Sequence, residues 1–204
     1  MKSQKAWQKR QPSGLAIAMS ILFPRIPLSR WPAMIGITFL GASMAGLYGI
    51  VHDQVTFSIS QEYFTRLKFT QFQWANIGLP TRVFVAEIGF LATWWVGLIA
   101  GWVLARTSAE AVEPRVMLRL SVRGFALVIG CALAAAVIAF VYGLMQDVKL
   151  EASDLADFAR AIGVSDVPSF VRVAYIHNAG YLGSFLGIVA AATLLWRKRR
   201  SSSG

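Results

Sequence analysis

Four long stretches without a charged residue constrain this chain more than any other feature. Residues 33–51 form a run of 19, 88–105 a run of 18, 124–145 a run of 22 and 179–196 a run of 18. The second extends back to Val83 if Glu87 is admitted, and the fourth to Val173 if His177 is admitted. A helix rising 1.5 Å per residue needs about 20 residues to cross a hydrocarbon core of about 30 Å. All four runs meet that length, and each is bounded by charges or turn residues. With 204 residues, 56% of them hydrophobic, the chain is too short to wrap four such helices in a soluble core. The expectation is an all-α membrane protein, a four-transmembrane-helix bundle. Its spans fall at about 33–52, 82–105, 124–145 and 173–196, within a transmembrane domain of 33–197. A basic interfacial segment, 1–32, precedes the domain, and a basic tail, 198–204, follows it.

The net charge of +10 invites a nucleic-acid reading, but its distribution argues for topology instead. Of the 20 basic residues, 14 lie before the first run, between the second and third, or after the fourth. A Lys/Arg excess of this kind marks the cytoplasmic side. Both termini are therefore expected inside, with the segments near 52–82 and 146–178 outside. The basic tails suit anionic lipid, and nucleic acid is not expected as a partner. The short apolar run 15–23 resembles the core of a signal peptide, but Pro24 ends it and no small-residue cleavage site follows. It reads as an uncleaved segment at the interface, kept apart from the first span by Pro24, Pro27 and Pro32. The single cysteine, Cys131, lies mid-span and reads as a small packing residue.

Small residues recur at intervals of about one turn. They include Gly36, Gly41, Ala45 and Gly49 in the first span, and Gly97 and Gly101 in the second. The third carries Ala135, Ala139 and Gly143, and the fourth Ala179, Gly183, Gly187 and Ala191. Such stripes let helix backbones approach closely where lipid supplies no hydrophobic drive, so a compact bundle is expected. The outer loops have their own signals. Residues 55–58 read as briefly extended, after which Ser60 can cap a short amphipathic helix over 61–72. Residues 153–162 read as a second amphipathic helix with Leu155, Phe158 and Ile162 on one face, ended by Gly163. Ser165 or Asp166 can then cap the helix that becomes the fourth span, with Pro168 in its first turn.

The ionisable residues concentrate at the outer ends of the spans. His52 and Asp53 are read as ending the first, Glu87 lies about a turn inside the second, Asp147 follows the third, and His177 opens the fourth. Both histidines sit on small-residue stripes, and an ionisable group in a span usually faces the bundle interior. His52, Asp53, Glu62, Glu87 and His177 are thus candidate metal ligands. Two imidazoles with carboxylates suit Fe, Mn or Zn, although the paired Glu-x-x-His motifs of di-iron bundles are absent. Haem held by His52 and His177 is a further reading with less support. A structural reading, in which these groups hydrogen-bond loops, pair with Arg66 or Arg82 or line a polar cavity, competes with both and leads them.

The stretch HDQVTFSISQEYFTRLKFTQF, from His52 to Phe72, resembles a group of small polytopic bacterial inner-membrane proteins, as do residues 87–97 and 177–183. The resemblance implies a bacterial inner membrane and nothing about cofactor or activity. Three classes of function stay open. They are a structural or accessory subunit of a larger membrane complex, a metal-binding or redox protein, and a small transporter or channel. The last, with only four spans, would require a homo-oligomer.

Overall fold

The computed structural model describes residues 26–109, 113–145 and 153–201, with side chains through Arg197. The expectations for the apolar run 15–23 and for Asp147 lie outside those residues. Four helices are long and apolar enough to cross a membrane: Leu28–Ile59, Thr81–Ser108, Pro114–Met145 and Val167–Arg197. We label the helices α1 (Trp31–Ile59), α2 (Thr81–Ser108), α3 (Pro114–Met145), α4 (Asp154–Ala161) and α5 (Val167–Ser201). There is no strand among the described residues. The protein is an all-α four-transmembrane-helix bundle, as expected.

The bundle consists of two antiparallel hairpins, α1 with α2 and α3 with α5. Glycine explains the first. Gly41 meets the Gly97 carbonyl, Gly49 the Gly89 carbonyl, and Gly101 the backbone of Ile37 and Thr38, so the seam runs the length of the hairpin. Midway, the Thr93 hydroxyl lies 2.8 Å from both the Ala45 carbonyl across the seam and the Gly89 carbonyl of its own helix, so its single hydrogen is shared between the two helices. In the second hairpin Gly183 lies against Cys131 and Ala132, and Gly187 against Val128. Cys131 therefore does pack between helices. Gly36 has nothing near it, so that member of the first stripe faces away from the seam. Large apolar side chains turn outward instead, among them Phe39, Leu47, Phe185 and Leu186. Small residues inside and large ones outside is the pattern of helices solvated by lipid.

The connections close over one end of the bundle, here termed the loop end. Helix α1 does not stop at His52. It continues for two more turns to Ile59, so the expected extended stretch at 55–58 is helical. Thr56 and Ser58 return their hydroxyls to carbonyls one turn back, which lets these polar residues stay in the helix. Ser60 then caps the next turn, accepting from the Tyr63 amide at 3.3 Å. The turn that follows, Tyr63–Lys68, is π-helical rather than α-helical. It drives Tyr63 and Phe64 inward against Phe57, Phe170 and Ala174. Gly78, at φ +81°, and Pro80 finish the loop before α2.

Helix α4 forms where a helix was expected, and Ser153 caps it, its hydroxyl accepting from the Ala156 amide at 3.3 Å. It ends with Gly163 at φ +75°. The Gly163 amide donates to the Arg160 carbonyl and the Val164 amide to the Ala159 carbonyl, each at 3.0 Å. Its buried residues are Ala156 and Ala159, with Leu155 and Ile162 partly covered. Phe158, expected on the packed face, is exposed. The helix sits close to α5 through its alanines, and a phenylalanine there would hold the two apart.

Candidate metal centre at the loop end

His52 and Asp53 lie two turns inside the end of α1, and His177 lies about three turns inside the start of α5. The three side chains meet. One ligand atom from each lies within 4.8 Å of the others. Asp53 continues the seam stripe of Gly41, Ala45 and Gly49 by one further turn, which turns its carboxylate into the bundle. It is 2% exposed, and His177 is 7% exposed. His177 Nε2 stands 3.8 Å from Asp53 Oδ1 and 3.3 Å from the Thr56 hydroxyl. The imidazoles touch edge to face, with ring centroids 4.8 Å apart.

Aromatic rings hold the imidazoles in place. The Tyr48 ring stacks on His52 at 5.5 Å, and its hydroxyl lies 3.5 Å from His52 Nδ1. Tyr63 covers His177 at a centroid distance of 5.0 Å, with Phe64 beyond it at 6.2 Å. The π-helical turn thus forms a roof over the cluster. The same turn brings in Lys68, whose Nζ lies 5.8 Å from the Tyr63 and Phe72 rings. Burial lowers the Lys68 pKa, and the Asp53 charge partly opposes that shift. Burial likewise pushes the Tyr63 phenol up, keeping it protonated.

Beneath the cluster, a cavity of about 60 Å³ runs among all four long helices. Tyr48 and Tyr181 flank its polar end, while Met44, Ala100, Phe125 and Val128 line it further from the loops. Tyr181 is anchored by donating to the Ala92 carbonyl at 3.0 Å, which ties α5 to α2 across the two hairpins.

One electrostatic fact stands out. Asp53 Oδ2 is buried without a hydrogen-bond partner among the described residues. Burying a carboxylate oxygen without a partner costs several kcal/mol unless a proton or cation meets it. The carboxylate and the two imidazoles form a donor set that fits a borderline divalent ion.

The other two expected ligands are elsewhere. Glu62 sits at the roof and reaches across to α5, accepting from the Asp166 amide at 2.8 Å and the Ser165 amide at 3.1 Å. Those amides, Asp166 first, hold its carboxyl below the ordinary value. It caps a helix N-terminus, where a negative charge is favoured. Asp166 adds the cap expected of it, accepting from Ser169 at 3.2 Å. Glu87 lies two residues from the seam glycine Gly89, about 200° around α2, and does not line the cavity. Its Oε2 is buried without a hydrogen-bond partner among the described residues.

Sequence reasoning overlooked Thr56, Tyr63 and Lys68. Thr56 stands one turn beyond His52 on the same helix and was legible once that helix is continued. The other two depend on how the loop folds back, which no periodicity records. The rings of His52 and His177 are in contact, leaving no gap between them for a haem macrocycle. Comparison of the chain with protein-family models, curated proteins and solved structures finds no match. The site is therefore read on its own geometry.

Proposed function

We propose that this is a metal-binding, multi-pass protein of the bacterial inner membrane, in which His52, Asp53 and His177 hold one divalent transition-metal ion. The observation that carries the reading is the convergence of those three side chains, with Asp53 Oδ1 3.8 Å from His177 Nε2, on a carboxylate whose second oxygen is buried without a hydrogen-bond partner among the described residues. An ion with bonds of about 2.1 Å holds neighbouring ligand atoms roughly 3.0–3.4 Å from one another, so the set, spread over up to 4.8 Å, closes by side-chain movements of about 1.4–1.8 Å. Two imidazoles and one carboxylate leave coordination positions open on the cavity side. That is the arrangement of iron, manganese or zinc centres that act on a bound molecule, rather than of closed structural sites. Tyr48, beside His52 Nδ1, orients that ring and leaves Nε2 for the ion.

The Lys/Arg bias supports cytoplasmic termini and a centre on the outward side of the membrane. The structural reading stays open, since Glu62 bonds the Ser165 and Asp166 amides and His52, Asp53 and His177 line the cavity, while Arg82 is held by Gln54 and Ser58 rather than by one of these acids. Elemental analysis of the full chain purified in detergent tests the proposal. About one equivalent of Fe, Mn or Zn is expected in the wild type, lost in His52→Ala, Asp53→Asn and His177→Ala. Metal-free wild-type protein that takes up none of the three ions on reconstitution would overturn it.

A further inference from the structure

The glycine seams bring the helices of each hairpin into backbone contact, and the openings found among the described residues lie between hairpins. One of them is a groove of about 770 Å³ between α1 and α3. Val51, Val55, Leu133, Val137 and Phe140 form its apolar walls. All but Phe140 are about half exposed or more, on a surface that faces lipid. In a bilayer such a groove is filled by hydrocarbon chains, which are as apolar as its leucine and valine walls.

Its two ends differ. Arg82, in the first turn of α2, stands at the loop end of the groove. The guanidinium donates to the Gln54 carbonyl at 3.3 Å, to Gln54 Oε1 at 3.2 Å and to Ser58 Oγ at 3.3 Å, and it lies 4.8 Å from the Phe57 ring centroid. Gln54 Nε2 returns a bond to the Arg82 carbonyl at 2.8 Å, so the two residues clasp each other. Every one of these partners is neutral, and no carboxylate pairs with Arg82 among the described residues. An oriented, exposed and uncompensated guanidinium at the end of a membrane-spanning helix complements a phosphate. His52 lies within the groove wall and also lines the central cavity, the single residue common to both. Gln54 and Ser58 follow His52 by two and six residues, so the Arg82 clasp sits roughly 3–9 Å from it along the helix axis.

We propose that this groove binds an anionic glycerophospholipid. Its phosphate rests on Arg82, its acyl chains lie between α1 and α3, and the junction of head and tail sits against His52. The binding stands independently of the metal reading. That the lipid is the molecule on which the centre acts rests on that reading.

Native mass spectrometry of the full chain, exchanged into mixtures of phosphatidylglycerol and phosphatidylcholine, tests it, with metal content measured on the same samples. The wild type is expected to retain phosphatidylglycerol over phosphatidylcholine by about fivefold, the effect of one basic residue at the membrane surface. Arg82→Gln, which keeps hydrogen-bonding capacity without the charge, is expected to lose the preference and keep its metal. Arg66→Gln, which removes a charge away from the groove, is expected to retain the preference. Val137→Trp, which fills the groove, is expected to reduce binding of both lipids. Equal preference in Arg82→Gln and Arg66→Gln would overturn the proposal. So would a dimer that displaces lipid from the wild type and is lost in Val137→Trp, because the groove would then belong to a second copy of the chain. Lipid preference without metal would overturn the metal centre alone, and metal without preference the lipid site alone.

Discussion

Gly49 of α1 and Gly89 of α2 meet backbone to backbone, so closely that a β-carbon on either would overlap the other's carbonyl. This contact lies one turn from Asp53 on α1. It sets how near α2 stands to the stripe that carries the carboxylate inward, and the seam and the proposed metal site are therefore mechanically linked.

Gly89→Val is expected to lower stability by about 1–3 kcal/mol, the usual range for overpacking, because backbone on the far side of the seam must move. Gly36→Ala, at a position with open space around it, is expected to be neutral or to stabilise by up to about 1 kcal/mol through helix propensity. Thermal unfolding in a single detergent compares the two. Equal destabilisation by both would remove the seam from this account.

Tyr48→Phe removes the hydroxyl beside His52 Nδ1 and leaves the stacked ring. Loss of an orienting partner of this kind weakens metal binding by about 10- to 100-fold. Titration of metal-free protein with Zn²⁺ against a competing chelator gives the ratio. An unchanged affinity would mean that Tyr48 does not orient the ligand.

Lys68 places a cation near enough to Asp53 for the two charges to act on each other. A bound divalent ion would feel the same ammonium as a repulsion. Lys68→Met is therefore expected to tighten metal binding by about three- to tenfold, equivalent to roughly 0.7–1.4 kcal/mol. Weaker binding in the variant would show that Lys68 supports the site instead.

Glu62 predicts a pH effect at the roof. Its carboxyl is held below the ordinary value of 4.5 by the Asp166 and Ser165 amides. The charged form is the one that fits the cap, so its contribution is complete above pH 4.5 and fades as pH falls through the lowered folded value. Glu62→Gln should melt below the wild type at pH 7, and the gap between them should close on acidification. A gap that stays constant below pH 4 would show that the amide contacts are not made in solution.

Much of this architecture was legible in advance. The four runs are long enough to span and too apolar to do otherwise, and caps at Ser60 and Asp166 are local chemistry. So is the turn at Gly163, which needs a left-handed residue. Gly41, Gly49, Gly97 and Gly101 announced themselves as a packing stripe by spacing alone. Gly89 did not, because its partner is on another helix and only the antiparallel register brings them together.

The site divides along the same line. His52, Asp53 and His177 could be named from residue type and their place in apolar helices, since an ionisable group in a span is costly and must face inward. Glu62 carries the same chemistry and does something else, because the loop that bears it folds towards the start of α5. Glu87 is equally ionisable and is turned by its helix to another face. What the sequence alone determined, then, is which segments cross and where polar groups fall along each of them, because hydrophobicity and helical rise act within a single segment. Only the tertiary structure decided which of those groups meet. Helix rotation, register and loop return are settled by contacts between segments, and the roughly 200° that separates Glu87 from the seam glycine Gly89 leaves it off the cavity that Asp53 lines.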